Sequence, residues 1–170
     1  SLFSGTEANS AVTPKSDISN VIHDYRLISD ENELKNIIRL AGTQQEVCFD
    51  TETTSIDALD SEIVALALSW EKGKGFLVHF PPSRHETMAL LGIIKQLFEN
   101  PNILMIGQNC KFDIQVLGNY GIEVKGPLFD TMIAHYLLEP DMRHNMNLLS
   151  EIYLSYSPVH IESLIGEKGE

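Results

Sequence analysis

Two acidic residues, Asp50 and Glu52, lie two positions apart in a stretch of β-type sequence, residues 47–54. Alternate side chains of a strand project from the same face, so the two carboxylates are expected to stand side by side. Like charges at that separation raise each other's pKa unless a metal or another positive group compensates them. The pair therefore suggests a divalent metal site at the end of a strand. Because an Asp-x-Glu pattern is also common by chance, the spacing alone leaves a purely structural role open.

A third acid, Asp113, follows a short apolar run at residues 103–106, in sequence typical of the first turns of a helix. Asn109 precedes it by four residues, so the two side chains would share one helix face. Ligands of open α/β sheets collect outside the carboxyl ends of the strands. If the two strands are neighbours, these side chains converge with Asp50 and Glu52 on one cleft. Taken singly, Asp113 is typical of a solvated acid that complements a helix N-terminus.

The elements that would position these acids follow from hydrophobic periodicity and turn signals. Strands are predicted at residues 25–28, 46–51, 63–70, 76–80 and 103–106. Helices are predicted over about 30–42, 84–99, 109–118 and 130–138, and from about 147 onward. The second, third and fourth strands form an antiparallel meander, because hairpin-loop residues separate the last two. The strand at 63–70 is apolar on both faces, which predicts a central strand. The sum is an α/β fold with a mixed sheet of about five strands and helices on both faces.

Length and composition limit the organisation of the chain. Its 170 residues suffice for one domain, which we expect at residues 21–170 after a mobile leader or linker at residues 1–20. Cys48 and Cys110 lack Cys-x-x-Cys spacing and are typical of free thiols in a reducing compartment. No apolar run approaches a membrane span and no secretory signal is recognised, so a cytoplasmic location without membrane contact is expected. The net charge of −12 argues against a nucleic-acid partner, because phosphate binding relies on Lys and Arg.

Two motifs taken together are far more specific than either alone. Phe-Asp-Thr-Glu-Thr at residues 49–53, followed by Gly-Gln-Asn-x-Lys-Phe-Asp at residues 107–113, resembles the first two motifs of the DEDD exonuclease superfamily. That superfamily has the ribonuclease H-like fold. Further segments at 118–123, 129–132 and 143–148 are similar to the 3′-5′ exonuclease domain of bacterial DNA polymerase I. The likeness extends from about residue 25 to the end of the chain.

The resemblance implies that Asp50, Glu52 and Asp113 are catalytic residues that bind two divalent metal ions. Asp50 would bridge both ions, Glu52 would complete the first site, and Asp113 would serve the second largely through water. Mg²⁺ or Mn²⁺ is expected, with Zn²⁺ as a further candidate. Two metals about 4 Å apart activate a water and stabilise the leaving 3′ oxygen of an in-line displacement, so the protein need not supply a nucleophile.

The resemblance also implies which residues contact a single-stranded 3′ end of DNA. The expected substrate-binding residues are Thr53, Ile56, Gln108, Asn109, Phe112 and Ile161. Gln108 and Asn109 would lie near the terminal nucleotide, Thr53 would offer its backbone there, and Ile56 would wedge against the last base. From sequence alone Ile56 is as readily an ordinary packing residue. Relatives often have Tyr at the position of Phe112, and they place a Phe at that of Ile161, which would weaken stacking here.

One departure from the family pattern concerns its third motif, Tyr-x-x-x-Asp. This motif supplies a fourth carboxylate and a tyrosine that orients the attacking water, and it does not occur among the 170 residues. Tyr136 and Asp141 are one residue too far apart and come too early in motif order. Either the sequence stops before the motif or the domain is naturally incomplete. We favour the first, with the motif beyond Glu170 and the exonuclease domain C-terminally incomplete in these 170 residues. This fragment is then expected to bind metal weakly and to turn over little substrate.

The implied function is proofreading in DNA replication and repair: hydrolysis of the 3′-terminal phosphodiester of single-stranded DNA, with release of nucleoside 5′-monophosphates. A polymerase domain would follow on the C-terminal side and deliver a short single-stranded end, so the acidity of the chain is no obstacle. Two alternatives stay open, a catalytically silent structural module of a polymerase and a stand-alone exonuclease acting on RNA ends. Three converging acids without a cation would cost stability, which disfavours the first. The polymerase-like segments disfavour the second.

Overall fold

The computed structural model describes residues 16–159 of the chain. These residues divide into two compact units, a larger one of residues 22–142 and a smaller one of residues 16–21 with 143–159. The strands are β1 (Ser16–Asp17), β2 (Asp24–Ile28), β3 (Glu46–Thr53), β4 (Ile63–Ser69), β5 (Lys74–His79), β6 (Leu104–Gly107), β7 (Leu128–Asp130) and β8 (Tyr156–Ser157). The helices are α1 (Glu31–Ala41), α2 (Arg84–Phe98), α3 (Cys110–Gly118), α4 (Thr131–Leu138) and α5 (Met146–Leu154).

The larger unit contains a six-stranded mixed sheet with the order β2-β5-β4-β3-β6-β7. Strands β3, β4 and β5 pair antiparallel in succession, whereas β6 runs parallel to β3, β7 to β6 and β2 to β5. The α/β class, the mixed sheet, the meander and the central place of β4 are thus confirmed. The sheet has six strands rather than about five, because the three-residue strand β7 is too short to show a period in the sequence.

The core of the larger unit packs against one face of the sheet. In β3, Val47 and Phe49 are buried, whereas Asp50 projects from the opposite face. The Phe49 ring meets the Phe98 ring of α2 edge-on, with 5.1 Å between centroids. Full burial of an apolar side chain contributes about 1.5–3 kcal/mol to stability. The contact between these two rings therefore helps to hold β3 against α2. Residues of α1, α2 and α3 belong to the same apolar cluster, including Ile38, Leu97 and Leu117.

Side-chain caps define where the helices begin. The Asp30 carboxylate accepts the Glu33 amide at 2.9 Å and starts α1, and the Ser83 hydroxyl accepts the Glu86 amide at α2. Such acceptors satisfy amides that have no partner inside the helix. The predicted start of α1 at about residue 30 is therefore confirmed.

The smaller unit is built from helix α5 and a two-stranded parallel pair, β1 with β8. Asn145 caps α5 through its side chain, which accepts the Leu148 amide at 2.9 Å. The Ser16 hydroxyl donates to the Ser155 carbonyl at 3.0 Å. Ser16 and Asp17 fall within the segment predicted as a leader, whose residues 1–15 lie outside the described range, and the boundaries at 20 and 21 stay a prediction. Among residues 16–159, no helix is long and apolar enough to cross a membrane.

Candidate functional site

Asp50 and Glu52 project from the face of β3 that the core does not occupy. Asp50 lies opposite Ala67 of β4, and Glu52 lies opposite Ala65. Two alanines leave space beside the carboxylates, and the ladder shifts register between Glu52 and Thr53. Asp50 is half-buried and Glu52 is exposed. The strand therefore presents both acids side by side at an accessible position, as the sequence predicts.

Asp113 reaches β3 from the core side. It lies in the first turn of α3 and is only 4% exposed. Its Oδ1 accepts two hydrogen bonds from Thr51, one from the amide at 2.9 Å and one from the hydroxyl at 2.5 Å. Because Thr51 stands between Asp50 and Glu52 in the strand, these bonds fasten the start of α3 to the segment that carries the two acids.

The carboxylates act on one another electrostatically. Burial, followed in importance by the charges of Asp113 and then Glu52, raises the pKa of Asp50 to about 6. Burial also raises the pKa of Asp113, although the two hydrogen bonds from Thr51 oppose that effect. A nearby cation would favour the charged form of each acid. The arrangement is therefore one that a divalent cation would stabilise.

No group of three or more His, Cys, Asp or Glu side chains within residues 16–159 is placed to hold a metal ion. Thr51, whose side chain alternates with those of Asp50 and Glu52 along β3, holds Asp113 through two hydrogen bonds. Asp113 thus lies close enough to Asp50 for its charge to raise the pKa of Asp50. The metal-binding role of the three residues stays a prediction.

The junction between β6 and α3, residues 107–110, carries Gln108 and Asn109. Gly107 fits here because a Cβ atom would lie 2.9 Å from Cys110 Sγ and 3.1 Å from the Phe49 carbonyl oxygen. Asn109 adopts a left-handed conformation with φ of 60°. The Gln108 side-chain oxygen accepts a short hydrogen bond from the Thr131 hydroxyl. The parallel pairing of β3 with β6 brings the junction to the same end of the sheet as the acids. The contact of Asn109 with a nucleotide stays a prediction.

A loop at residues 54–62 carries Ile56, whose side chain is 99% exposed. Such exposure excludes the packing role for Ile56 in the larger unit and suits a surface contact. Thr53, the last residue of β3, donates its hydroxyl to the Ser55 carbonyl at 2.7 Å. Phe112 is partly buried against the core, so at least part of its ring has a packing role. Ile161 lies outside the described residues.

The 54–62 loop is held by contacts among Tyr120, Arg84 and Glu62, the last residue of the loop. These contacts were not predicted from sequence. Tyr120 is buried, accepts the Ile63 amide at 3.0 Å and donates a short hydrogen bond to Glu62. Arg84 pairs with Glu62 at 2.8 Å and stacks over the Tyr120 ring at 4.8 Å. The partners are at least 22 positions apart in sequence, so only the packed structure brings them together.

Comparison with known proteins adds to this geometry. A model of the 3′-5′ exonuclease family matches residues 25–168. DNA polymerase I of Pseudomonas aeruginosa is 31% identical over 153 residues, which cover 85% of this chain and 17% of the relative. The chain thus spans about a sixth of that relative's length.

Two solved structures have the same fold at low identity. RNase D of Escherichia coli, an exoribonuclease involved in structured RNA processing, gives a TM-score of 0.61 at 18% identity and covers 76% of this chain and 33% of its own. NrnC of Brucella melitensis with bound Mg²⁺ gives a TM-score of 0.60 at 17% identity, covering 84% of this chain and 63% of its own. The predicted ribonuclease H-like fold is confirmed by these likenesses.

Proposed function

Because this chain belongs to the 3′-5′ exonuclease family of DNA polymerase I, we propose that it removes nucleotides from the 3′ end of single-stranded DNA. The reaction is hydrolysis of the terminal phosphodiester, with release of nucleoside 5′-monophosphates. The observation that carries the proposal is the placement of Asp50 and Glu52 side by side on β3, with Asp113 bonded to Thr51 between them. Such an acidic group at the end of a strand suits a centre that recruits cations and, through them, a phosphate.

The donor set fits two hard divalent ions, because carboxylate oxygens are the ligands that Mg²⁺ and Mn²⁺ prefer. Asp50 and Glu52 would hold the first ion from one face of β3, and Asp50 would also face the second. Asp113 would contribute through a bridging water, since its Oδ1 already accepts two bonds from Thr51. When bound, the pair of ions supplies an activated water and stabilises the leaving 3′ oxygen.

The residues around the acids would orient the end of the strand. Ile56 is fully exposed on a loop that follows β3 directly, where an apolar side chain can pack against the last base. Gln108 and Asn109 lie at the adjacent β6–α3 junction and would contact the terminal nucleotide, with the Thr53 backbone beside them. Phe112 and Ile161 complete the proposed substrate-binding set.

We also propose the setting of this activity. A polymerase domain on the C-terminal side would deliver a frayed single strand, so the domain need not bind duplex DNA through its own basic residues. Proofreading beside a bacterial polymerase would take place in the cytoplasm. The rival reading of a stand-alone RNA-end exonuclease has less support, because the RNase D likeness at 18% identity concerns the fold alone. The rival of a silent structural module is disfavoured by the cost of keeping three acids together.

The 170 residues alone are proposed to bind metal weakly and to turn over slowly, because they contain three of the four carboxylates that the family pattern has. Calorimetric titration with Mg²⁺ or Mn²⁺ tests this, and two tight sites would contradict it.

The decisive experiment uses the full-length protein that carries this domain, with Mg²⁺ and a 5′-labelled single strand. We expect stepwise release of mononucleotides by the wild type and none by an Asp50→Ala variant. If the wild type releases no mononucleotides, or the variant releases them equally fast, the proposed function is wrong.

A further inference from the structure

The carboxylate of Asp130 accepts hydrogen bonds from the N-termini of two different helices. Its Oδ1 accepts the Met132 and Ile133 amides at 2.9 and 3.2 Å, which caps α4. The same oxygen accepts the Asn109 amide at 3.1 Å, and Oδ2 accepts the Cys110 amide at 2.8 Å. One side chain thus joins the start of α4 to the start of α3, 20 residues earlier.

Helix α3 depends on this bond because its own cap residue does not supply one. Asn109 makes no side-chain cap hydrogen bond, and its backbone has the left-handed φ of 60°. Asparagine tolerates that conformation better than most residues, but it is still uncommon outside glycine. The negative charge of Asp130 at two helix N-termini is favourable, because backbone dipoles place partial positive charge there. Asp130 therefore supplies acceptors for the first amides at the start of α3 and stabilises the unusual backbone of Asn109.

The neighbouring residue, Thr131, holds the same junction from another direction. Its hydroxyl lies within hydrogen-bond distance of two acceptors, the Gly107 carbonyl oxygen at 3.1 Å and the side-chain oxygen of Gln108, which share its single proton. Gly107 is moreover paired with Asp130 in the parallel ladder between β6 and β7. Because the side-chain oxygen of Gln108 accepts this hydrogen bond, the NH₂ group of the same amide faces away from Thr131.

The junction leads directly to Asp113, one turn further along α3. Asp113 is buried and bonded to Thr51, so a displacement of the start of α3 would be transmitted to the segment of β3 that carries Asp50. Gly107 packs tightly against Cys110 and Phe49, so the start of α3 cannot shift without moving these residues as well.

We propose that Asp130 and Thr131 are positioning residues of the exonuclease reaction: Asp130 sets the start of α3 and hence Asp113, and Thr131 sets the amide of Gln108. The inference rests on the proposed function. Neither residue touches the reacting atoms, and both act through the β6–α3 junction.

The test compares four variants of the full-length protein in the 3′-end release assay with Mg²⁺. Asp130→Asn keeps the shape and the α4 cap, but it turns an amide group toward the Cys110 N–H. We expect kcat to fall about 10- to 100-fold, the range found when an outer residue that orients a ligand is changed. Thr131→Val removes the hydroxyl, and we expect KM to rise about tenfold with a smaller change in kcat, because Gln108 binds substrate. Thr131→Ser restores the hydroxyl and should return KM to near the wild-type value.

Asp30→Asn is the matched control, since Asp30 is also an aspartate cap but belongs to α1. It should match the wild type in kcat and KM. Amide hydrogen exchange gives a readout that does not need turnover: exchange at Cys110 should accelerate in Asp130→Asn and stay unchanged in Asp30→Asn.

The inference is overturned if Asp130→Asn and Asp30→Asn have the same kcat and KM. It is also overturned if the fraction of activity lost in Asp130→Asn equals the fraction of that variant that is unfolded. Should Asp130→Asn fail to fold, equal KM values for Thr131→Val and Thr131→Ser would overturn it instead. Asp50→Ala separates this failure from failure of the proposed function. If the wild type is active and Asp50→Ala is not, normal kinetics in the positioning variants refute the positioning roles alone.

Discussion

Thr51 and Asp113 are joined by two hydrogen bonds that end on one oxygen. The amide and the hydroxyl of Thr51 both donate to Oδ1 of Asp113, at 2.9 and 2.5 Å. The contact links β3 to α3 across 62 positions of sequence, at the residue between the two acids of the proposed centre. Burial raises the pKa of Asp113, and the two bonds oppose this by favouring its charged form.

Replacement of Thr51 by Val is therefore expected to destabilise the protein. Valine keeps the branched shape but removes the hydroxyl donor, so the buried carboxylate loses one of its two bonds from Thr51. Hydrogen bonds to charged groups contribute about 1.5–3 kcal/mol, and we expect the free energy of unfolding at pH 7 to fall by about that amount. The pKa of Asp113 should also rise further. Urea unfolding and NMR titration of the carboxyl group measure the two effects.

Thr43→Val is the matched control for this substitution. The Thr43 hydroxyl donates to the Leu40 carbonyl at 2.7 Å, but both the residue and the bond are exposed. A smaller loss is expected, because water can replace the partner. Equal losses in the two variants would show that the Thr51 hydroxyl has no special role.

Asp50 makes stability depend on pH in an unusual direction. Its pKa is raised from an ordinary 3.8 to about 6, so the folded protein holds this proton more tightly than the unfolded chain does. The stabilisation that the folded protein gains from the protonated Asp50 is fully present below about pH 4. It is lost as the pH rises through about 6. A shift of two units corresponds to about 3 kcal/mol, reduced in practice because Asp50 is partly exposed.

Asp50→Asn should accordingly stabilise the metal-free protein at pH 7 by about 1–2 kcal/mol, and should have little effect at pH 3.5. Urea unfolding in the presence of a chelator at both pH values measures this. Asp60→Asn, at an exposed position of the 54–62 loop, is the control and should give no such difference between the two pH values. A variant that is less stable than the wild type at pH 7 would contradict the expected sign.

The elements that could be predicted are those with a strong local period. The alternation of buried and exposed residues in β3 predicts that Asp50 and Glu52 share a face, and the apolar stripe of α1 together with Asp30 predicts where that helix begins. Both signals lie within a few residues of chain. The meander follows equally from the short loop between β4 and β5.

The features that could not be predicted depend on pairings far apart in sequence. The three-residue strand β7 has no detectable period, so the sequence indicates Asp130 only as a local cap of α4. Its bonds to Asn109 and Cys110 exist because β7 pairs with β6. In the same way, the two bonds between Thr51 and Asp113 join residues 62 positions apart. Motif spacing suggests that the acids lie near one another, but it does not indicate that Thr51 holds Asp113.

Ile56 offers a test of substrate contact with little effect on the fold. Its side chain is 99% exposed, so Ile56→Ala should change the free energy of unfolding by no more than about 0.5 kcal/mol. Loss of its apolar contact with a terminal base should lower kcat/KM for single-stranded DNA by about tenfold. Steady-state kinetics with a labelled strand measure the effect.

Ile22→Ala is the matched control, because Ile22 is also 99% exposed and lies outside the loop. It should leave both stability and kcat/KM unchanged. If the two variants have the same kcat/KM, Ile56 has no role in binding the strand.

Tyr120 is expected to stabilise the loop that presents Ile56. Tyr120→Phe removes the hydroxyl that accepts the Ile63 amide at 3.0 Å and donates to Glu62. Tyr120 is only 5% exposed, so the Ile63 amide would be left without an acceptor in a buried position. Such a group costs about 1–3 kcal/mol, and we expect the free energy of unfolding to fall by that amount.

Loss of this anchor should also loosen residues 54–62, since the loop would then be held by the Arg84–Glu62 ion pair and by the bond from Asn119 to the Ala58 carbonyl at 2.6 Å. Faster amide exchange in the loop, beyond that explained by global unfolding, is the expected sign. Tyr25→Phe serves as control, because that ring is largely exposed and should lose little stability. Unchanged loop exchange in Tyr120→Phe would show that the Arg84–Glu62 ion pair and Asn119 suffice to hold the loop.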